Sequence, residues 1–224
     1  MITFFDLDHT LLSADSDVLW CEFLLQHALL PDPEGFRARN AEMARRYDEG
    51  TVSPAEFCGF YVSTLGGRTP AFWQPWLARF VEDAVLPRIT RAAYELVERH
   101  RAQGDTLVLT TATNRVITEP TARHLGFAHL IATEVELGDN GCFSGRPSGE
   151  LNMRDGKVTR AREWLTRQGL PEAALRDAVF YSDSFNDLPL LSAVGRPVAV
   201  NPDARLRAEA QRRGWQILSL RQDP

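Results

Sequence analysis

The chain has 224 residues, 44% of them hydrophobic, enough to bury a substantial core as one large domain or as a domain carrying a sizeable insertion. Its formal net charge of −5 and its dispersed arginines argue against general nucleic-acid binding. No apolar run approaches the ~18 residues of a membrane span, and the N-terminus lacks the basic region, hydrophobic stretch and cleavage site of a leader, so a cytoplasmic location is expected. Cys21, Cys58 and Cys142 are odd in number and widely spaced, which points to reduced thiols and not to a disulfide framework or a zinc site.

Ile2-Thr3-Phe4-Phe5 reads as a short buried strand, because β-branched and aromatic side chains suit a sheet and the run is too short for a helix. Asp6-Leu7-Asp8-His9-Thr10 begins where that strand ends. Residues 16 to 86 hold no convincing strand but carry helical stripes: Leu19, Phe23 and Leu30; Phe57, Tyr61 and Leu65; Phe72, Trp76 and Phe80 beside Trp73, Leu77 and Val81. Eleven of the 21 aromatic residues fall in this third of the chain, which implies a separate helical core of three or four helices. Pro31-Asp32-Pro33, Gly50 to Pro54 and Gly66 to Pro70 punctuate it. Its tethers are Ser13 to Ser16 and Leu86-Pro87-Arg88, so the expected division is a core of 1–14 and 88–224 and a helical cap of 15–87.

Beyond the second tether, strand and helix patterns alternate as in βαβ units. A helix near 91–103 stops at Gly104, and the strand Thr106-Leu107-Val108-Leu109 runs into Thr110-Thr111-Ala112-Thr113-Asn114. A helix near 115–125 stops at Gly126 before Leu130-Ile131-Ala132, and residues 134–147 alternate around Asp139-Asn140-Gly141, the turn of a small flap. Ala178-Val179-Phe180-Tyr181 is a further strand, followed by Ser182-Asp183-Ser184-Phe185-Asn186-Asp187. The expected fold is α/β, a predominantly parallel sheet flanked by helices with an inserted helical bundle. Ligands of such sheets bind outside the carboxyl ends of the strands, and three of these ends carry Asp, Thr and Asp. Carboxylates gathered there would repel and force one to keep its proton, a conflict that a hard cation such as Mg²⁺ removes.

The four motifs together resemble the haloacid dehalogenase superfamily, in its phosphoserine-phosphatase-like branch with a helical cap after the first strand. The likeness covers almost the whole chain. Asp-x-Asp-x-Thr stands at Asp6 to Thr10; the Ser or Thr after an apolar strand best matches Thr111; the Lys opening a helix fits Lys157; the paired downstream aspartates are Asp183 and Asp187, with Asn186 between them. The resemblance implies a Rossmann-like core and Mg²⁺-dependent hydrolysis of a small phosphomonoester through an aspartyl-phosphate. Asp6 would be the nucleophile and Asp8 the acid and then base. Thr111 and Lys157 would hold phosphoryl oxygens, and Asn186 would contact substrate. The metal would be held by Asp6, the backbone carbonyl of Asp8 and Asp183, with Asp187 orienting a water or Lys157. Some positions keep two readings. Thr110 or Thr113 competes with Thr111, and Arg154 with Lys157; Thr10 either supports the turn or meets phosphate; Asn186 either meets substrate or caps the next helix. His9, His124 and His129 lack a matching metal-ligand set.

Substrate choice is expected to lie in the cap. Asp15 stands where the resembled enzymes place an acidic residue for the substrate amine, although it also suits a helix N-cap shared with Ser16. Where those enzymes place a carboxylate-binding Arg, this chain has Gly59, with Arg45 and Arg46 as nearby replacements. A pocket with an acidic group, no carboxylate clamp and a lining of Trp20, Phe57, Phe60 or Tyr61 would suit an aminated phosphomonoester such as histidinol phosphate. The alternatives are a phosphoserine phosphatase, a phosphotransferase and a non-catalytic phosphate-binding module.

Overall fold

The structure, a computed structural model, describes residues 1–49 and 51–221. Gly50, one of the expected helix breaks, lies outside the described residues. Seven strands among the described residues form one sheet: β1 (Ile2–Phe5), β2 (Thr106–Asn114), β3 (His129–Leu137), β4 (Phe143–Ser148), β5 (Val179–Ser182), β6 (Arg196–Val200) and β7 (Gln216–Leu218). Their order is β4-β3-β2-β1-β5-β6-β7, with every pairing parallel except β3 with β4. The fold is α/β with a mostly parallel sheet, as the alternating pattern predicts.

Side chains alternate across the strands, so each face of the sheet needs its own cover. Phe4, Val108, Phe180 and Ala199 face α7 (Asp155–Arg167), α8 (Leu188–Ala193) and α9 (Ala204–Arg213) in one cluster with Trp164, Leu190 and Leu206. Phe5, Leu107, Leu109 and Tyr181 face the other way, against Leu96 of α5 (Arg91–Ala102) and Ile117 of α6 (Arg115–His124). Phe5 pairs with Leu109 on one side and Tyr181 on the other. The residues that follow these three therefore stand side by side at the carboxyl ends of β1 and β5 and along β2. The chain goes from β1 to β2 and β3 on one side and returns to β5 on the other, which makes the end of β1 a topological switch point.

Between β1 and β2 lies the helical insertion: α1 (Ser16–Gln26), α2 (Pro33–Asp48), α3 (Pro54–Ser63) and α4 (Pro70–Phe80), then a π turn over Val81–Val85. Local chemistry sets their starts. Asp15 caps α1 by accepting from the Val18 N–H, Ser53 and Glu56 close a capping box on α3, and Thr69 caps α4, with Pro54 and Pro70 in the first turns. The stripe that was expected to reach Leu30 is cut short, since α1 ends at Gln26 and Ala28 turns to φ 53°.

The expectation of a separate helical core does not hold. Trp20, Trp73 and Phe80 pack on one another at ring separations of 5.1–5.4 Å and belong to the same continuous cluster as Phe5, Leu96 and Leu109 of the sheet side. Helical periodicity identifies an apolar face but not what covers it, and here the sheet layer does. Only the outer part has a cluster of its own, in which Cys21, Phe36, Phe57, Cys58 and Tyr61 surround Met153. The two tethers are stitched together, with the Ser13 N–H and hydroxyl both donating to the Arg88 carbonyl at 2.8 Å. The β3–β4 hairpin, turning through Asp139-Asn140-Gly141, is fastened to the insertion by Gly67 N–H to Phe143 O and Phe143 N–H to Arg68 O, both 2.9 Å. The two segments approach closely at that junction, where a Cβ on Gly66 or Gly145 would lie 3.3 Å from the other residue's Cα and Gly145 adopts φ 80°.

Truncating Trp20 to Ala should cost about 3–5 kcal/mol by opening a cavity in this shared cluster. Urea unfolding followed by fluorescence and by far-UV circular dichroism should give one coincident transition; two separated transitions would mean that the helices are held by a core of their own.

Candidate active site

The carboxyl ends of β1, β2 and β5 bring the sequence-predicted residues to one place. Asp6 continues β1, its N–H donating to the Tyr181 carbonyl at 2.9 Å, and its side chain is buried. Lys157, in the first turn of α7, donates from Nζ to Asp6 Oδ1 and to Asp187 Oδ2, each at 2.7 Å. The Ser182 hydroxyl also donates to Asp187 Oδ2, at 2.7 Å. Arg154, the alternative to Lys157, stands at the N-cap of α7 with φ 53°. The following Gly156 lets α7 start against the 150s loop, since a Cβ there would fall 2.0 Å from the Leu151 carbonyl oxygen.

After Asp6 the backbone turns out of the sheet, with His9 at φ 56° and exposed. Thr10 is folded back into the turn, where its hydroxyl lies 3.2 Å from both Asp6 Oδ2 and Asp183 Oδ1 and accepts from the Asp183 N–H at 3.0 Å. One hydroxyl proton serves only one of those two carboxylates at a time. Asp8 accepts from the Ser16 N–H at 2.7 Å and from the hydroxyls of Thr111 and Thr113 at 3.2 and 3.0 Å.

Strand alternation along β2, which continues through Asn114, puts Thr111 and Thr113 on the face opposite to Thr110. Thr111 and Thr113 face Asp8, while the Thr110 hydroxyl accepts from Asn152 Nδ2 at 3.0 Å. Asn186 lines the site cavity in a short 3₁₀ turn, and it is Ser184 whose hydroxyl accepts from the Asn186 N–H and caps that turn. His124 bonds Tyr94 and His129 packs on Trp164, both away from these carboxylates.

Burial and mutual repulsion dominate the electrostatics. Burial pushes the Asp6 carboxyl up to about 7 even against the attraction of Lys157, and burial with the charges of Asp6 and Asp187 pushes Asp183 up to about 9. Burial alone would favour a neutral Lys157, but Asp187 and Asp6 outweigh it and hold the ammonium above its ordinary range. Asp15 is pushed up to about 7 by burial and then by Asp8. Two acidic groups sharing donors at such a point fit a hard cation, and Mg²⁺ is commonly bound by one or two carboxylates, with water and substrate phosphate completing its shell. No group of three or more His, Cys, Asp or Glu side chains arranged to hold a metal is found among the described residues. Of the metal set that the resemblance implies, the carboxylates of Asp6 and Asp183 stand together on the Thr10 hydroxyl.

These groups surround a cavity of about 240 Å³ lined by Asp6, Asp8, Asp15, Lys157, Asp183, Asn186 and Asp187, and also by residues the sequence reading missed. Asp17 is one, 3% exposed in the first turn of α1; burial and the charges of Asp15 and Asp8 raise its carboxyl well above the ordinary value. The available signal was an acid on the buried side of a helix, aligned at i+4 and i+7 with Cys21 and Leu24. Asp203, which accepts from the Phe185 N–H at 2.7 Å, is another.

The expected aromatic lining is corrected. Phe57 lines the cavity, but Trp20 is fully buried with its indole N–H on Thr64, Phe60 stacks on Phe36, and Tyr61 lies in the outer cluster. Their helical faces point into packing, so among the described residues Phe57 is the one Phe, Tyr or Trp that borders the cavity. Arg45 and Arg46 do not replace the missing clamp; they pair with Glu42, Glu49 and Glu56 on the exposed helix surface. A larger, more open hollow of about 570 Å³ borders Arg115, Glu134 and Arg160, which are bound to one another and include no nucleophile.

Residues 3–192 match the model of the haloacid dehalogenase-like hydrolases. The chain belongs to that family. It is a haloacid dehalogenase-type enzyme of the phosphatase class, in the phosphoserine-phosphatase-like branch. It is 34% identical over 220 residues to a histidinol-phosphatase of Neisseria meningitidis serogroup C (strain 8013), covering 98% of this chain and 99% of that protein. It is 33% identical to a phosphoserine phosphatase of Mycobacterium tuberculosis, covering 97% of this chain and 70% of that one. A solved structure of a protein of unknown function from Bordetella pertussis Tohama I superposes with a TM-score of 0.93 at 42% identity, covering 98% of both chains. A substrate-bound phosphoserine phosphatase structure shares the fold, with a TM-score of 0.68 at 17% identity, covering 99% of this chain and 93% of that one. No helix among the described residues is long and apolar enough to cross a membrane.

The carboxyls of Asp6 and Asp183 have an ordinary value of 3.8 when unfolded and about 7 and about 9 when folded. The native state binds more protons across that interval, so metal-free protein should lose stability as pH rises from about 4 to about 9. Added Mg²⁺ should raise the Tm more at about pH 8 than at about pH 5, since it competes with those protons. Thermal melts in EDTA and in Mg²⁺ at both pH values check this, and equal shifts would contradict it.

Proposed function

We propose that the protein hydrolyses a small, aminated phosphomonoester that carries no carboxylate, histidinol phosphate being the best fit, with Mg²⁺ and through an aspartyl-phosphate on Asp6. One observation carries this reading. Among the described residues lining the cavity are seven aspartates, a single lysine and no arginine, and the lysine is held between two of the aspartates. A phosphate dianion enters such a cavity only with a cation, and a substrate carboxylate would have no partner there. The end-to-end match to a histidinol-phosphatase supports the choice of leaving group.

Asp6 attacks phosphorus as the carboxylate, aimed by Lys157, with a cation at Asp6 and Asp183 supplying the further charge its ionisation would need. Asp8, oriented by the Ser16 N–H and the two threonine hydroxyls, gives its proton to the departing ester oxygen. It then takes a proton from the water that attacks the aspartyl-phosphate, releasing phosphate and free Asp6. Thr111, buried behind Asp8, donates to it and accepts from the Thr113 N–H, while Thr113 and Asn186 border the cavity itself. Asp6, Asp183 and the Asp8 carbonyl would hold Mg²⁺, which would supply charge neutralisation for the phosphoryl oxygens.

In this reading residues 15–87 act as a cap on a core of 1–14 and 88–224. Because α1 and α4 share the sheet-side cluster, admission of substrate falls to α2 and α3, whose outer cluster closes over the site through Phe57 and Met153.

Purified protein with Mg²⁺ should turn over histidinol phosphate with a kcat/KM at least about tenfold above that for phosphoserine. Preference for phosphoserine would overturn the substrate assignment. Asp6→Asn should lower kcat by about 10⁴-fold or more with either ester. Retained Mg²⁺-dependent turnover would overturn the nucleophile.

A further inference from the structure

We propose that Asp203 is a positioning residue, which raises the affinity of the site for Mg²⁺ by gripping the backbone that carries Asp183. This rests on the metal reading above, in which the Asp183 carboxylate is a ligand. Asp183, Ser184 and Phe185 lie beyond the end of β5, so no strand pairing reaches them. Asp203 holds them at two points. Its N–H donates to the Asp183 carbonyl at 2.9 Å, and its Oδ2 accepts from the Phe185 N–H at 2.7 Å. Those groups belong to the peptide planes on either side of Ser184, so both planes are fixed at once. From the opposite side, the Asp183 N–H donates to Thr10 Oγ1 at 3.0 Å. The carboxylate of Asp183 therefore hangs from a backbone held between Thr10 and Asp203.

The grip is itself anchored in the fold. Asp203 is the N-cap of α9, its Oδ1 accepting from the Leu206 N–H at 2.8 Å and its carbonyl from the Arg207 N–H at 2.8 Å. Leu206 is fully buried in one cluster with Phe180 of β5. The same first turn of α9 lays the Arg205 guanidinium over the Phe185 ring, 4.0 Å from its centroid.

The residue type fits this task and no simpler one. Ser, Thr and Asn cap helices as Asp does, but each has a single acceptor atom in its side chain. Meeting the Leu206 and Phe185 N–H groups together takes two acceptor oxygens on a short side chain, which is what an aspartate has. Asp203 also lines a cavity with six other aspartates, where a further negative charge adds repulsion that a neutral cap would avoid. The second hydrogen bond is the gain that offsets it. Each Asp203 oxygen already accepts an N–H, so its carboxylate acts on the turn and leaves the cation to Asp183. Partners that orient a metal ligand in this way typically change metal affinity by about 10- to 100-fold.

Isothermal titration calorimetry with Mg²⁺, on the wild-type protein and on Asp203→Asn and Asp203→Glu, tests this alongside thermal melts in EDTA. Asn keeps the reach and a cap acceptor but loses one of the two hydrogen bonds and the charge. Glu keeps the charge and both oxygens but carries them one methylene away from the N–H groups. Both variants should bind Mg²⁺ about tenfold or more weakly, with a metal-free Tm within about 4 °C of the wild type. Wild-type affinity in Asp203→Glu overturns the proposal, because charge alone would then be at work, and wild-type affinity in Asp203→Asn overturns it equally. A larger fall in metal-free Tm also overturns it, since Asp203 would then be a cap for the fold at large. In each of these cases the metal reading stands; a wild-type protein that binds no Mg²⁺ ends both. Should Asp203→Asn fail to fold, Asp203→Ser, which keeps an acceptor for the Leu206 N–H, replaces it with the same outcomes.

Discussion

The site depends on one buried ion cluster, the Lys157 ammonium held between Asp6 and Asp187. Removing either kind of charge from such a cluster would leave the other buried and unpaired, which costs several times what a surface pair is worth. The cluster also ties together parts of the chain that are far apart in sequence: the end of β1, the start of α7 and the turn after β5. Its geometry is set from behind by packing. α7 is seated by Trp164 edge-on to Phe4 and by the close approach that Gly156 permits at Leu151. A lysine on a loosely docked helix would not hold two carboxylates at 2.7 Å.

Around that cluster the molecule concentrates negative charge where an anion must bind. Asp183 and Asp6 share a hydroxyl on one side, and Asp8 and Asp17 share another on the other side. Each shared threonine leaves one carboxylate short of a donor. The first pair is the one that a hard cation would relieve.

The helical insertion and the β3–β4 hairpin are part of the same construction. Trp20, Trp73 and Phe80 merge with the sheet-side core, so α1 is a fixed wall that carries Asp15 and Asp17. The hairpin is bonded to the insertion through backbone groups at Gly67, Arg68 and Phe143. Packing ties the wall, and backbone hydrogen bonds tie the hairpin, to the rest of the fold.

Much of this was legible beforehand, for a local reason. Short apolar strands ending in Asp, Thr or Asp announce both the sheet and its ligand edge, and the turn grammar of Pro and Gly marks the helices of the insertion. Asp6, Asp8, Lys157 and Asp183 are visible because their signal lies in immediate neighbours along the chain, whereas Thr110, Thr111 and Thr113 are visible only as alternatives. Asp17 and Asp203 carry no such local mark, and the stripes containing Trp20, Phe60 and Tyr61 show that a face is apolar without showing whether it meets solvent, ligand or another layer. Sequence by itself determined the element types, the family motifs and the acidic character of the strand ends, since these follow from periodicity and adjacency. Tertiary structure alone decided which threonine faces Asp8, which aromatic borders the cavity and which buried carboxylate lacks a donor, because hydrogen-bond sharing and burial arise only when distant segments are packed together.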